Sequence, residues 1–388
     1  MLVNKIMRKI INKHWLTPAV LAVFFSLSLS ATAFAQHTFG EIEVTPSVSV
    51  IESYDDNISM TNTNEKSGCS TILRGGFDAK YEGKLDNGGL SAYLQRQMFS
   101  SNSNFDNNEV DITGRYSREL SKYDRYTLED AFVHAAEPTS FSDAFGNASG
   151  RYSYDRNRFN FSYFKDITKQ LTTIYRYGNE WTDYSRSNLN GSFYNSIGAG
   201  LEYAFDSATI GLLDYGLGYR DYEQGGNVVS NSLTGGLRRY LTSQMYLQGV
   251  TGLDFIKPVN GGNLTEPVFT LSLVDDVDDA TQTNLTYTKE FVTSSSNSDV
   301  FDRWQFSAGI TRQMMERLSG RLNAFYGEGK YDNSGREDKL TGVRLGFVYD
   351  LSRSTQGTLS YSYTKVDSTL ISESYTRNSV SAGIRVKF

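Results

Sequence analysis

The stretch that decides the fold is NSVSAGIRVKF, residues 378–388. Reading back from Phe388, every second residue is apolar as far as Val380, and the residues between them are small or charged. Successive side chains of a β-strand point to opposite faces, so this alternation predicts a strand with one apolar and one polar face. The same alternation recurs throughout the chain, for example at 213–219 and 318–326. The sequence therefore predicts an all-β protein.

The alternating segments and their connections together predict a particular all-β architecture. We predict about eighteen strands, at 44–54, 71–82, 89–99, 108–118, 123–134, 157–166, 170–180, 192–204, 208–220, 228–241, 244–256, 266–275, 280–292, 302–312, 317–329, 338–350, 356–366 and 376–388. Every second link, such as 119–122 or 242–243, is short, and the intervening links are mostly longer and polar. This rhythm is typical of a transmembrane antiparallel up-and-down β-barrel, with tight periplasmic turns and longer external loops. Sixteen strands are the alternative.

The beginning of the chain is typical of an exported protein. Basic residues between Lys5 and Lys13 precede an apolar run at 19–29, and Ala33-Phe34-Ala35 then supplies the small residues that a signal peptidase recognises. The apolar run is shorter than the ~20 residues that a membrane-spanning helix needs. We therefore predict a signal peptide at 1–35, a short periplasmic lead at 36–43 and a single barrel at 44–388, in the outer membrane of a Gram-negative bacterium.

The composition agrees with a barrel that sits in outer-membrane lipid. The chain has 26 Tyr, 23 Phe and 34 Gly but only 5 Pro, and this usage is rich in strand formers. Its mean hydropathy is −0.43, which a barrel tolerates because lipid-facing and lumen-facing residues alternate. The single cysteine, Cys69, cannot form a disulfide within the chain. The net charge of −6 argues against nucleic acid as a partner.

Two short features resemble known β-barrel proteins. Phe388 at the end of an amphipathic strand resembles the signal that outer-membrane proteins present to the barrel-assembly machinery. The predicted barrel opens with Pro46 in its first strand and Tyr54-Asp55-Asp56-Asn57 at its end. This opening resembles an outer-membrane β-barrel porin family associated with capsule and exopolysaccharide biosynthesis and export. The resemblance implies a polysaccharide cargo and a periplasmic polysaccharide export protein as partner, and it transfers no catalytic residues.

A barrel of this size encloses an aqueous channel, so the residues that alternate with the lipid-facing series are predicted to line a pore. The charged members of this predicted wall are Arg115, Arg125, Arg176, Arg238, Arg303, Arg321, Arg344, Arg385, Asp111, Glu129, Glu202, Asp214 and Asp254. Arginine binds carboxylates through paired donors, so a basic wall would suit an anionic, hydroxyl-rich chain. The alternative is a structural network of arginines and acids.

The longest predicted link, 135–156, lies in the third external loop. It contains the candidate constriction residues Phe141, Asp143, Phe145, Arg151 and Tyr154. General porins fold a long third loop into the lumen, and we predict the same arrangement here. The alternative is a loop that stays at the surface.

Catalysis has little support in the sequence. After the predicted signal peptide the histidines are His37 and His134, and no motif with a serine or an acid surrounds His134. We therefore predict a protein that is not an enzyme and that needs no cofactor or metal ion. The first functional hypothesis is a conduit for export of a capsular polysaccharide or exopolysaccharide. A diffusion porin for small solutes is the alternative, and an outer-membrane enzyme or adhesion barrel is the third.

Overall fold

A computed structural model describes residues 37–39, 41–278, 280–294 and 298–388. The predicted signal peptide at 1–35 lies outside these residues. β-Strands make up most of the described chain. They are β1 (His37–Phe39), β2 (Ile42–Asp55), β3 (Gly68–Glu82), β4 (Asp86–Phe99), β5 (Asn107–Glu119), β6 (Asp124–Ala135), β7 (Tyr154–Asp166), β8 (Leu171–Tyr184), β9 (Ser192–Ala204), β10 (Thr209–Tyr222), β11 (Gly226–Tyr240), β12 (Met245–Lys257), β13 (Leu264–Asp278), β14 (Thr281–Thr293), β15 (Val300–Met315), β16 (Leu318–Tyr331), β17 (Glu337–Asp350), β18 (Thr355–Ser368) and β19 (Tyr375–Lys387).

The strands from β2 to β19 form one closed antiparallel ring. Each strand pairs with the next along the chain, and β19 returns to pair with β2 from Lys387 opposite Ser47 to Ser379 opposite Asp55. In the part of the chain that the structure describes, the ring contains eighteen strands. The predicted fold class and strand number are thus confirmed, and the alternative of sixteen strands is excluded.

The strand β1 lies outside this ring. It pairs with the start of β2, with His37 opposite Val44 and Phe39 opposite Ile42. Residues 42–44 of β2 pair with β3 on one edge and with β1 on the other. On that second edge, β19 is the partner from Ser47 onward. The barrel therefore begins at Ile42, and part of the predicted lead at 36–43 is a strand paired to it.

The connections give the barrel two different ends. Tight turns such as 241–244, where the Leu241 amide donates to the Met245 carbonyl oxygen at 2.9 Å, lie at the turn end. The longer loops, including 56–67 and 136–153, lie at the loop end. One short helix, α1 (Phe141–Ala144), interrupts the longest of them. Among the described residues, no helix is long and apolar enough to cross a membrane.

The seam between β2 and β19 is reinforced at the loop end by the Tyr54–Asn57 segment. The Asn378 amide nitrogen and side chain both donate to the Asp56 carboxylate, at 2.6 and 2.8 Å. Arg377 donates to Asp55 at 2.6 Å, and the Asn57 side chain donates to the Thr376 carbonyl oxygen at 3.0 Å. The acids and amides of this motif therefore join the first strand of the ring to the last.

The outer face of the ring is apolar and bears two bands of aromatic side chains. Leucines such as Leu213, Leu233 and Leu359 are about half exposed there. Near the turn end, neighbouring aromatic rings on this face form contacts such as Tyr163–Tyr175. Nearer the loop end, Tyr287 stacks on Trp304 with ring centroids 6.0 Å apart. An apolar belt between aromatic girdles is the pattern of a barrel that spans lipid.

Glycine allows close approach of neighbouring strands on the inner face, as at Gly252. A Cβ atom added to Gly252 of β12 would collide with the backbone of Leu233 and Thr234 on β11. A Cβ atom added to Gly346 of β17 would meet nothing within 4 Å. Gly252 is therefore required by the local spacing of the strands, whereas Gly346 is not.

We expect Gly252→Ala to destabilise the barrel by about 1–3 kcal/mol, the usual cost of overpacking, because backbone cannot move aside as a side chain can. The midpoint of thermal unfolding in detergent, read from heat-dependent migration on gels, measures this effect. Gly346→Ala is the matched control and is expected to unfold like the unaltered protein. Equal midpoints for the two variants would contradict the assignment.

Candidate functional site: the lumen and the loop that crosses it

The inner wall of the ring is polar along its length. On β18 and β19 it presents serine and threonine, and the hydroxyls of Ser360 and Ser381 lie 2.7 Å apart. On β13 and β14, Ser272 and Thr286 are joined in the same way at 3.4 Å. Such a surface binds water, so the space it encloses can hold hydrophilic solutes.

Most of the charged residues predicted to line the pore lie in ion pairs between strands of the inner wall. The pairs are Arg115 with Glu129 at 3.2 Å, Arg238 with Glu202 at 3.4 Å, Arg303 with Glu290 at 2.8 Å, Arg176 with Asp214 at 2.5 Å, and Asp111 with Arg74 at 3.8 Å. Each arginine charge is therefore largely compensated by a neighbouring acid. These contacts favour the alternative of a structural network at these positions.

The other predicted wall residues have varied surroundings. Arg125 lies over the Phe164 ring at 4.6 Å, and Arg321 donates to the Thr311 hydroxyl at 3.2 Å. Arg344 lies over the ring of Phe141, a residue of the long loop. By register, Asp254 faces Ser232 and Glu266, and Arg385 faces Ser49 and Gln356. None of these contacts by itself assigns a role in transport.

Besides Arg74, the inner wall bears arginines that were not predicted from the sequence, namely Arg156, Arg158, Arg220 and Arg377. Glu180 accepts from Arg158 at 2.6 Å and from Arg220 at 3.2 Å, and so bridges β7, β8 and β10. Arg220 also donates to the hydroxyls of Thr293 and Ser192, each at 2.9 Å. The alternation that placed Phe159 and Tyr219 outward already implied that these neighbouring arginines point inward. They were missed because they lie near strand ends.

The loop 136–153 crosses the lumen and is anchored on the opposite wall by aromatic side chains. Phe145 packs edge-on against Phe301 and Phe325, with ring centroids 5.1 and 5.6 Å apart. Phe141 contacts Phe325 at 6.2 Å, and buried Tyr331 and Leu340 complete the cluster. The loop leaves β6 and returns to β7, whereas these partners belong to β15–β17. The loop therefore lies inside the ring.

Ion pairs hold α1 and the start of the same loop. Asp143 accepts from Arg156 at 3.0 and 3.2 Å, and the Ser140 hydroxyl caps α1 by accepting from the Asp143 amide. Glu137 pairs with Arg151 within the loop and with Arg377 of β19. The predicted loop at 135–156 was slightly too long, because Ala135 ends β6 and Tyr154 is the first residue of β7.

Two cavities adjoin the loop in the loop-end part of the lumen. The larger, the wide passage, has a volume of about 650 Å³ and lies between the loop and the wall formed by β7–β10 and β14–β16. The smaller has about 200 Å³ and lies against β17–β19. Among described residues, charged side chains of the wide passage are Arg156, Arg158, Arg220, Arg303, Asp143 and Glu180. Arginines therefore outnumber acids there.

The histidine considered for catalysis lies away from the lumen. His134 Nδ1 is 2.7 Å from the Asp155 carboxylate, and both residues belong to the outward series of β6 and β7 near the loop end. Within the described residues, no cluster of three or more His, Cys, Asp or Glu side chains could hold a metal ion. The geometry of this pair suits an interface contact.

Comparison with known proteins gives a porin family and several outer-membrane barrels. A family model described as "Putative beta-barrel porin 2" matches residues 262–388. No curated protein sequence matches the chain. Among solved structures, Pseudomonas aeruginosa OccK2 (OpdF) is 10% identical, with a TM-score of 0.47, over 90% of this chain and 98% of that one. Pseudomonas aeruginosa OprD is 9% identical, with a TM-score of 0.43, over 91% and 97%.

A third structure, the siderophore receptor PirA from Acinetobacter baumannii, is 8% identical with a TM-score of 0.46 and covers 89% of this chain and 80% of that one. At this level of similarity, the barrel fold of the present chain rests on its own strand pairing. The family match places the region from β13 to β19 alongside porin sequences.

The ion pairs that anchor the loop are expected to depend on pH through the carboxyl groups of Glu137 and Asp143. Burial alone would raise the pKa of Glu137, but Arg377 and Arg151 outweigh it and hold that pKa below its usual value. Burial alone would also raise the pKa of Asp143, but the hydrogen bonds and the charge of Arg156 outweigh it and lower that pKa. A lowered pKa in the folded state means that the anchor is fully present above the ordinary carboxyl pKa and is lost as the pH falls through the lowered value.

We therefore expect current fluctuations of single channels in planar bilayers to be constant at neutral and mildly acidic pH and to increase only below about pH 4. The double variant Glu137→Gln with Asp143→Asn is expected to fluctuate strongly at neutral pH and to lose the dependence on acid. A transition between pH 5 and 7 would contradict this assignment, because it would require groups with raised pKa values.

Proposed function

We propose that this protein is an outer-membrane channel through which small hydrophilic solutes diffuse, with a preference for anions. The observation that carries the proposal is the loop 136–153, which is anchored across the lumen. Between this loop and the facing wall, the arginine-rich wide passage stays open. The apolar belt and aromatic girdles of the outer face support a position in lipid. We assign the turn end to the periplasm and the loop end to the exterior, as in other bacterial barrels.

The preference for anions follows from the surplus of arginines where the lumen is narrowed. Glu180 compensates Arg158 and Arg220 together, so one carboxylate faces two guanidinium groups. Asp143 pairs with Arg156, and Arg303 pairs with Glu290 of the neighbouring strand. In a passage with low-dielectric walls, even a small excess of one sign focuses the field and raises the local concentration of the opposite ion.

Export of a capsular polysaccharide or exopolysaccharide remains the second candidate, and it rests on the resemblance carried by Tyr54–Asn57 and Pro46. The serine- and threonine-rich wall of β18 and β19 would suit a hydroxyl-rich polymer. A polymer, however, needs a continuous wide path, and the anchored loop would first have to leave the lumen. Small solutes need no such movement, and for this reason we favour the diffusion channel. A periplasmic export protein as partner is part of the export hypothesis alone.

The charge surplus can be tested by measuring ion selectivity. We expect the unaltered channel in a potassium chloride gradient to give a reversal potential of the sign of an anion-preferring pore. Arg158→Gln with Arg220→Gln leaves Glu180 uncompensated and is expected to shift the potential toward cations. Arg239→Gln is the control, since Arg239 lies on the outward face near the turn end. Cation preference of the unaltered channel would refute the proposal.

The role of the loop can be tested by deletion of 138–152. Removal of Phe141 and Phe145 with their segment empties the space between the opposite walls, so the single-channel conductance is expected to rise several-fold. An unchanged conductance would show that the loop does not limit passage. In cells, loss of surface polymer without a change in small-solute uptake, after deletion of the gene, would favour export over diffusion.

A further inference from the structure

Five of the tight turns at the turn end share one backbone arrangement. In each, the amide of the first residue donates to the carbonyl oxygen four residues later, as Leu120 donates to Asp124 at 2.8 Å. The second residue is Ser, Thr or Asp, and its side chain accepts from a backbone amide of the turn, as Thr168 accepts from the Leu171 amide at 3.0 Å. The turns are Leu120–Asp124, Ile167–Leu171, Phe205–Thr209, Leu241–Met245 and Leu351–Thr355.

The first residue of each of these turns is large and apolar, and at least half of its surface is exposed. We call Leu120, Ile167, Phe205, Leu241 and Leu351 the apolar turn residues. The turn uses only their backbone, so its geometry does not require an apolar side chain at this position. A single exposed apolar residue is ordinary on a protein surface. An apolar residue at the same exposed position of five turns indicates surroundings that are not purely aqueous.

The apolar turn residues continue the outward series of their strands. Phe205 follows Tyr203 in the outward series of β9, and the two rings meet edge-on with centroids 5.2 Å apart. The Phe205 ring lies against Gly211 of β10, where an added Cβ atom would come within 2.7 Å of it. Leu351 lies beside Gly357 of β18 in the same way, with 3.7 Å to such an atom. These side chains therefore lie on the outside of the barrel and extend the apolar belt beyond the turn-end aromatic girdle.

Basic side chains accompany the apolar turn residues. Lys122, Lys169 and Arg353 occupy the third position of their turns and are exposed. Among the ion pairs of the described residues, none includes these three side chains. The outward lysines of the loop end are different, because each of them is paired with an acid. These pairs are Lys330 with Glu337, Lys339 with Glu328 and Lys365 with Asp367. The uncompensated outward lysines and arginine of the turns thus suit an anionic neighbour.

We propose that the apolar turn residues and these three basic side chains bind anionic phospholipids of the membrane leaflet on the turn side. The five turns are spread around the barrel from β5 to β18 and their apolar side chains face outward, so a surrounding leaflet reaches all of them. Apolar side chains enter the acyl boundary, while the long basic side chains beside them reach the phosphate layer, to which an anionic surface attracts them. The proposal rests on the proposed function only in placing the barrel in lipid.

Native mass spectrometry of lipid retained by the protein tests the preference for anionic headgroups. After release from bilayers of equal parts phosphatidylglycerol and phosphatidylcholine, the unaltered protein is expected to retain several-fold more phosphatidylglycerol. The triple variant Lys122→Gln, Lys169→Gln and Arg353→Gln is expected to retain the two lipids equally. The matched control is Lys330→Gln with Lys339→Gln and Lys365→Gln, which removes three loop-end lysines and is expected to keep the preference. Equal retention by the unaltered protein, or an equal loss in the control, would overturn the inference.

A fluorescent probe tests the position of the apolar turn residues. In a Cys69→Ser background, which removes the chain's own thiol, a dye on Leu241→Cys is expected to be quenched by phosphatidylcholine that carries a nitroxide on its headgroup and to be shielded from iodide. Ser243→Cys is the matched control, since Ser243 is an exposed residue of the same turn, and its dye is expected to be open to iodide.

Equal access of iodide to both positions, in vesicles that hold this protein alone, would contradict a lipid contact and would favour a protein partner at the turn end. All of these variants lie outside the lumen, so their single-channel conductance is expected to stay unchanged. Failure of lipid binding and failure of the channel proposal can therefore be told apart.

Discussion

The hydrogen bonds between β19 and β2 are the interaction on which the rest of the structure depends. Without them the first and last strands would present rows of unpaired backbone groups, which lipid cannot satisfy. Closure gives every strand of the ring a hydrogen-bonded partner on both of its edges. The pairing of Asp55 with Arg377 and of Asp56 with Asn378 strengthens this seam at the loop end. The motif that resembles a porin family therefore has a structural explanation in this chain, whatever the cargo.

Closure with eighteen strands creates a lumen too wide to be filled by its own side chains. The loop 136–153 narrows it, and the loop is held by two kinds of contact that support each other. The aromatic cluster around Phe145 and Phe325 anchors α1 on the far wall, while the ion pair of Asp143 joins α1 to β7 and that of Glu137 joins the start of the loop to β19. Arg377 takes part in both the seam and the loop anchor, so closure of the ring and the position of the loop are coupled.

The electrostatics of the wall depend on pairing more than on the number of charges. Arginines such as Arg115, Arg176 and Arg238 lie beside acids of neighbouring strands and contribute little net field. One surplus of arginine lies in the wide passage, where Glu180 serves two arginines and the loop narrows the lumen. Selectivity is therefore expected to reside in a short segment of the lumen near the loop end.

The sequence by itself determined the strands, their number and which side chains share a face, because period-two alternation is a local property of each strand. It also identified the longest loop and its aromatic residues. Only the tertiary structure decided which charges neutralise each other, because Arg176 and Asp214 lie on strands that are not adjacent along the chain. The far wall that receives Phe141 and Phe145 was likewise beyond the sequence. Such contacts depend on the curvature and register of the closed ring, which no local pattern records.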